Sequence, residues 1–347
     1  MKKIILILLI ILMSGCYDYN ELTDLGLVSS MLVDYVDDEF VINLEILDSN
    51  KEIVNPSYFI EGKGKTFESA LNDIYYKSTT HIYLSHMNAV ILSKTVSQEK
   101  LSDIYDYFLR EIDIRKDSYF LVSDNINQFK EYESPDNLSI GVSLKNIIEY
   151  NEKENAYFKT YKFRDIINSY LNNKNYLLGE IHIDDNNVTL GDVYLIHDNK
   201  LDMKLDRKAV LLANLLENTT STFLIMPSDT FRIYKYKLDK NVSKNKISIN
   251  LKANMRLTRM EKSDSTNKSD LNEIEKEANK YLKKYITDSI NYAKINDRDI
   301  YNLDYLYKLY EPNSYKKGIW KDLKIDVNVN TIVNEKGLLT DTLRGEN

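Results

Sequence analysis

One cysteine in 347 residues excludes an internal disulfide and a zinc cluster of the multi-cysteine kind. Histidine is nearly as scarce, and His81, His86, His182 and His197 form no H-E-x-x-H pair, so the usual metallopeptidase pattern is missing. Neither a G-x-S-x-G elbow, a P-loop nor a G-x-G-x-x-G turn occurs. The nearest approach, Gly62-Lys63-Gly64-Lys65-Thr66, has the wrong glycine spacing and reads as a turn into a helix. No nucleophile, base and oxyanion set can be assembled, so the sequence designates no catalytic, cofactor or metal residue and reads as non-enzymatic. Excess positive charge is lacking as well: the formal net charge is −7, which argues against a nucleic-acid partner. Apolar runs long enough to span a bilayer are absent, the longest being Ile4 to Met13.

What remains is ordinary globular material, 43% hydrophobic and 29% charged, in a length that suggests two or three domains. The 27 tyrosines, with few glycines and prolines, are read first as a codon effect. The N-terminus is more specific. Lys2 and Lys3 form a positive region, and the ten apolar residues Ile4 to Met13 lead to Ser14, Gly15 and Cys16. As a helix that run covers about 15 Å, half a bilayer core, which fits the hydrophobic region of a signal peptide rather than a membrane span. Leu12-Met13-Ser14-Gly15-Cys16 resembles the lipobox of bacterial lipoproteins, which implies cleavage before Cys16 and acylation of its thiol. The competing reading is an ordinary thiol behind a plain secretory signal. Two or three acyl chains on one residue hold a protein stably where one does not. Processing would remove Lys2 and Lys3, taking the charge to −7 − 2 = −9.

Along the chain, Leu25 to Val36 and Phe40 to Leu47 predict a hairpin across Asp37, Asp38 and Glu39. Thr66 precedes a helix that would bury Phe67, Ala70, Leu71, Ile74 and Tyr75 on one face; Ala89 to Leu92 predicts a buried strand. Ser97 is expected to cap a helix with Leu101, Ile104, Tyr105, Phe108 and Leu109 on one stripe, and Ser118 to Val122 to return to strand. Between about Asn125 and Asn186 the pattern weakens, with one short helix at Phe163 to Leu171. A new unit then runs from strand Val188 to Ile196, through a turn at Asp198 and Asn199, to a helix capped by Asp206. Strands follow at Phe231 to Leu238 and Ile247 to Leu257, then an exposed polar loop from Glu261 to Ser269. A long helix capped by Asp270 and the alternating strand Leu323 to Val329 complete the chain. These elements predict an α+β protein: two to three domains of mixed β-sheets flanked by helices, after a cleaved signal peptide. The boundaries expected are 1–15 for the signal, 16–186 for an N-terminal region with a possible break near 125, and 187–347 for a C-terminal domain.

Several segments resemble, in order, the Ger(x)C family of spore germination lipoproteins. Cys16, Tyr17, Asp18, Glu21, Leu22, Asp24, Leu25, Gly26 and Leu27 reproduce the family's mature start, with Tyr17 where Trp is usual. Gly64 to Leu71 gives a second match, continued by Ile82 to His86, with Ser85 in place of a Gly. Phe108, Leu109, Arg110, Glu111, Ile112 and Arg115 resemble a third segment, without its proline. Leu190 to Tyr194, the long helix, Asp299 to Leu303 and Trp320 match more loosely. The resemblance implies a lipid-anchored, non-enzymatic scaffold or signalling subunit of a nutrient germinant receptor. It implies two integral-membrane partner subunits and a place on the outer face of the spore inner membrane, held to the bilayer through Cys16. A lipid-anchored solute-binding or envelope-assembly protein is the alternative. The residues marked for structure or interaction are Asp18, Glu21, His86, Arg110 and Arg115. The plain expectation is that His86 is packed or hydrogen-bonded, and that Arg110 and Arg115 hold carboxylates such as Glu111 or Asp113 at a helix end.

Overall fold

The computed structural model describes residues 25–47, 57–154, 156–217, 222–225, 229–260 and 268–335. The signal segment, Cys16, Asp18, Glu21 and most of the expected polar loop lie outside the described residues.

The first strands are β1 (Leu25–Val36), β2 (Glu39–Leu47) and β3 (Ser57–Gly64). A two-residue turn at Asp37 and Asp38 joins β1 to β2, with φ of 52° and 62°. Hairpins of this size need a left-handed conformation at both turn residues, which Asp and Asn tolerate best after glycine. The chain uses the same device twice more, at Asp185-Asn186 and Asp198-Asn199, which is how so glycine-poor a sequence builds tight hairpins. Thr66 and Ser69 then form a reciprocal capping box at the start of α1 (Phe67–Lys77), with bonds of 3.1 and 2.9 Å. The Gly62 and Gly64 spacing is explained by close packing, since a Cβ on Gly62 would stand 2.2 Å from the Ala70 carbonyl oxygen.

Next come β4 (His81–Tyr83), β5 (Ala89–Ser93), α2 (Lys94–Glu99), α3 (Leu101–Arg110) and β6 (Tyr119–Ser123). Ser97 is not a cap: it is buried inside α2, and Ser93 accepts from Val96 N instead. The region from 125 to 186 holds more order than its weak pattern predicts. It contains α4 (Ile140–Glu154) and β7 (Tyr176–Asp184) besides the expected short helix, α5 (Phe163–Leu171). Then follow β8 (Asn187–His197), β9 (Lys200–Lys204) and α6 (Arg207–Leu216), the last capped as expected by Asp206, which accepts from Ala209 N at 2.6 Å.

Strands β1 to β9 make one sheet in the order β3-β2-β1-β5-β6-β7-β8-β9, with β4 beside the start of β1. Strands β1, β5, β6 and β7 run parallel, so all four begin at one end of the sheet, here called the leading end. Both faces are covered. Met31, Val90, Phe120 and Val122 pack on one side with α1, α3 and α5, while Leu32, Ile91, Leu121 and Leu177 pack on the other with α4 and α6.

That second core continues into a four-stranded sheet of β10 (Thr222–Ile225), β11 (Asp229–Ser243), β12 (Lys246–Met260) and β13 (Lys324–Glu335). Between β12 and β13 lie α7 (Lys268–Ile295) and α8 (Leu303–Tyr310), the crossover that a parallel β12–β13 pair requires. Helix α7 begins before Asp270, so that residue lies within it rather than capping it. Ala278, Leu282, Ile286, Ser289 and Ala293 form its buried stripe, and Lys276, Lys280, Lys283 and Lys284 face solvent as expected. Asn279 and Glu275 tie it to β13 by accepting from Thr331 N and Val333 N at 2.8 and 2.9 Å. The whole is the mixed α+β architecture that the sequence predicts.

Candidate functional site

The described marked residues gather at the leading end of the large sheet. His86 closes a single 3₁₀ turn just before β5, Arg110 ends α3, and Arg115 lies in the segment that enters β6. Their surroundings differ from expectation. His86 is exposed, its ring 5.8 Å from that of Tyr83, because the turn points it away from the strand that follows. Arg110 pairs with Asp106 one helical turn back at 3.0 Å rather than with Glu111 or Asp113. Such an exposed pair contributes little. Arg115 donates to the Asn88 side-chain oxygen at 3.1 Å, which fastens the approach to β6 onto the approach to β5.

Two clefts open at this end. One, of about 530 Å³, is walled by α1, α3 and β4, and Tyr75, Tyr83, Tyr107, Glu68 and Asp113 line it. The other, of about 400 Å³, lies where Lys159 to Ser169 runs between β6 and α6. Lys159 is buried there and pairs with Glu217 at 2.7 Å, and Tyr161 donates to the same carboxylate. Lys162 stands 4.6 Å from the centre of the Tyr119 ring. The Tyr119 hydroxyl is buried and faces Glu152 without making a good hydrogen bond. Burial above all lifts Glu152 above the usual carboxylate range, against the pull of Lys159 and Lys162. Opposed charges thus fix the loop, and the cleft presents no nucleophile activated by a neighbouring base. Among the described residues no three His, Cys, Asp or Glu side chains converge as a metal site.

Sequence reasoning missed a heavily bonded buried side chain. Glu45 of β2 is fully buried and accepts from Ser30 Oγ at 2.7 Å, Ser57 Oγ at 2.8 Å, Ile140 N at 2.7 Å and Gly141 N at 3.1 Å. A strand carboxylate therefore serves the free N–H groups at the start of α4, where the helix dipole also favours negative charge. Gly141 permits this approach, since a Cβ there would lie 2.1 Å from the Ser29 carbonyl oxygen. A charged residue in the apolar run Phe40 to Leu47 was the available signal.

Comparison with known proteins accounts for nearly the whole chain. A model described as the spore germination protein N-terminal domain matches residues 18–183, and one described as spore germination B3/GerAC like, C-terminal, matches residues 192–337. The chain belongs to the Ger(x)C family of spore germination proteins. Within that family it is 26% identical over 134 residues to spore germination protein KC of Bacillus subtilis (strain 168), a match covering 35% of this chain and about a third, 32%, of that protein. The crystal structure of the GerBC protein shares the fold, with a TM-score of 0.52 and 15% identity over 87% of this chain and 96% of that one. None of these descriptions is that of an enzyme.

Proposed function

We propose that this Ger(x)C protein is a lipid-anchored subunit of a spore nutrient germinant receptor. It acts as a non-enzymatic scaffold or signalling component beside two integral-membrane subunits, on the outer face of the spore inner membrane. The observation that carries the reading is positional: the first family match begins at residue 18, two residues after the chain's single cysteine. The family match thus starts directly behind the residue that the lipobox pattern marks for acylation. Among the described residues no helix is long and apolar enough to cross a membrane, so a membrane place for this part of the chain needs another means of attachment. Acyl chains on Cys16 supply it.

Deleting the gene tests the reading. Spores lacking the protein are expected to form normally and to lose their response to the nutrient, while growing cells are unaffected. A growth defect with unaltered germination contradicts it. Cys16→Ala is expected to move the protein out of the membrane fraction or leave it unprocessed.

A further inference from the structure

Helices α1, α3 and α5 each run back to the leading end of the large sheet and feed a strand that starts there. Each delivers an exposed large apolar side chain at that point. Tyr76, in the last turn of α1, is 91% exposed; Ile112, just past α3, is 90% exposed; Leu171, the last residue of α5, is 66% exposed. These three side chains stand at the ends of three separate helices that return to the same end of one sheet, and none is packed into either core.

Acidic residues stand at both ends of the sheet, and at the leading end Glu111 and Asp113 flank Ile112. Where β1, β6 and β7 finish, the turns carry Asp37, Asp38, Glu39, Asp124, Asp184 and Asp185. The leading end is also where the described chain begins, at Leu25, nine residues after Cys16 (25 − 16 = 9). Nine residues reach at most about 32 Å whatever their conformation. An acyl group on Cys16 therefore keeps this end near the bilayer and places no such bound on the opposite end.

We infer that the leading end of the large sheet rests on the lipid surface, with Tyr76, Ile112 and Leu171 entering the headgroup and acyl boundary and the acidic turns pointing away. The inference rests on the anchor proposed above and adds an orientation to it. Apolar and aromatic side chains gain by entering that boundary, and the short tether from Cys16 keeps this end within reach of it.

The test uses the full chain made with its N-terminal segment in a host that processes lipoproteins, where acylation of Cys16 leaves no other thiol. Cysteine is introduced singly as Ile112→Cys or Asp38→Cys, both at exposed positions, and labelled with an environment-sensitive dye. The protein is then bound to phosphatidylglycerol–phosphatidylethanolamine vesicles. The dye at 112 is expected to shift to the blue, brighten roughly twofold or more and be quenched by lipid-borne quenchers, whereas the dye at 38 stays as in water. Protein that sediments with vesicles while the dye at 112 remains in water overturns the orientation, leaves the anchor standing and frees this face for a protein partner. Protein that does not sediment, with no acyl mass on Cys16, overturns the anchor and the orientation together.

Discussion

β6 and β12 are both inner strands of their sheets, yet their sequences follow opposite rules. All five residues of β6, Tyr119 to Ser123, are buried and four of them are apolar. In β12, Ile247, Ile249, Leu251, Ala253 and Met255 are buried and alternate with Ser248, Asn250, Lys252 and Asn254, which are not. The difference follows from layering. A parallel strand with helices on both faces has no side to give to water, whereas a strand covered on one face keeps a period of two. Layer count can thus be read from a strand of five residues. Polar residues on a doubly covered sheet need a built partner, and Glu45, set against the start of α4, has one.

Substitutions can break or sharpen this contrast. Phe120 and Leu121 are neighbours that face different cores. Phe120→Ala is expected to cost about 3–5 kcal/mol and Leu121→Ala about 2–5 kcal/mol in urea unfolding. In β12, Ile249→Ala should cost as much as the latter, but Lys252→Ala only about 0.5 kcal/mol or less. A neutral Leu121→Ala would erase the distinction between the sheets. Glu45→Ala strands two backbone N–H groups and is expected to cost about 3 kcal/mol, most of it from the undocking of α4, visible as faster amide exchange at 140–148.

A pH-dependent effect belongs to the C-terminal region. Asp299 accepts from Leu303 N and Asp304 N, both at 2.8 Å, and so caps α8. Burial, the largest influence on it, raises its carboxyl from 3.8 to about 6. Below the lower value the group is protonated folded and unfolded alike. Between the two values the unfolded chain gives up a proton that the folded chain keeps, so stability falls as pH rises, by about 1–3 kcal/mol in all, and then levels off. Asp299→Asn is expected to remove that slope from a pH series of unfolding midpoints and leave the response of the large sheet unchanged.

Much of the fold was legible because strong local signals agreed with the tertiary outcome. The Asp37-Asp38 turn, Thr66 ahead of the Phe67 stripe, Asp206 and the alternation in β13 all name their own structure. What was lost lay in the region from 125 to 186. Ile140, Leu144 and Ile148 give α4 a narrow stripe of one apolar residue per turn, and the start of that helix is served by Glu45, far back in sequence. No local pattern encodes such a partner. Ser97 misled because a serine ahead of an apolar stripe resembles a cap, while it lies inside the short α2 that Ser93 caps, and the stripe belongs to α3, which starts anew after Lys100. The leading-end residues were marked by resemblance alone. Their partners, Asp106 for Arg110 and Asn88 for Arg115, are fixed by helix spacing and by strand adjacency respectively.

Membrane attachment turns on the anchor at Cys16. Mass spectrometry of the N-terminal peptide, taken from native protein in spore membranes, reads it directly. The expected result is a chain that starts at Cys16 with acyl groups on that residue. A peptide that begins elsewhere, or a Cys16 with an unmodified thiol, would contradict the membrane attachment and the receptor role built on it.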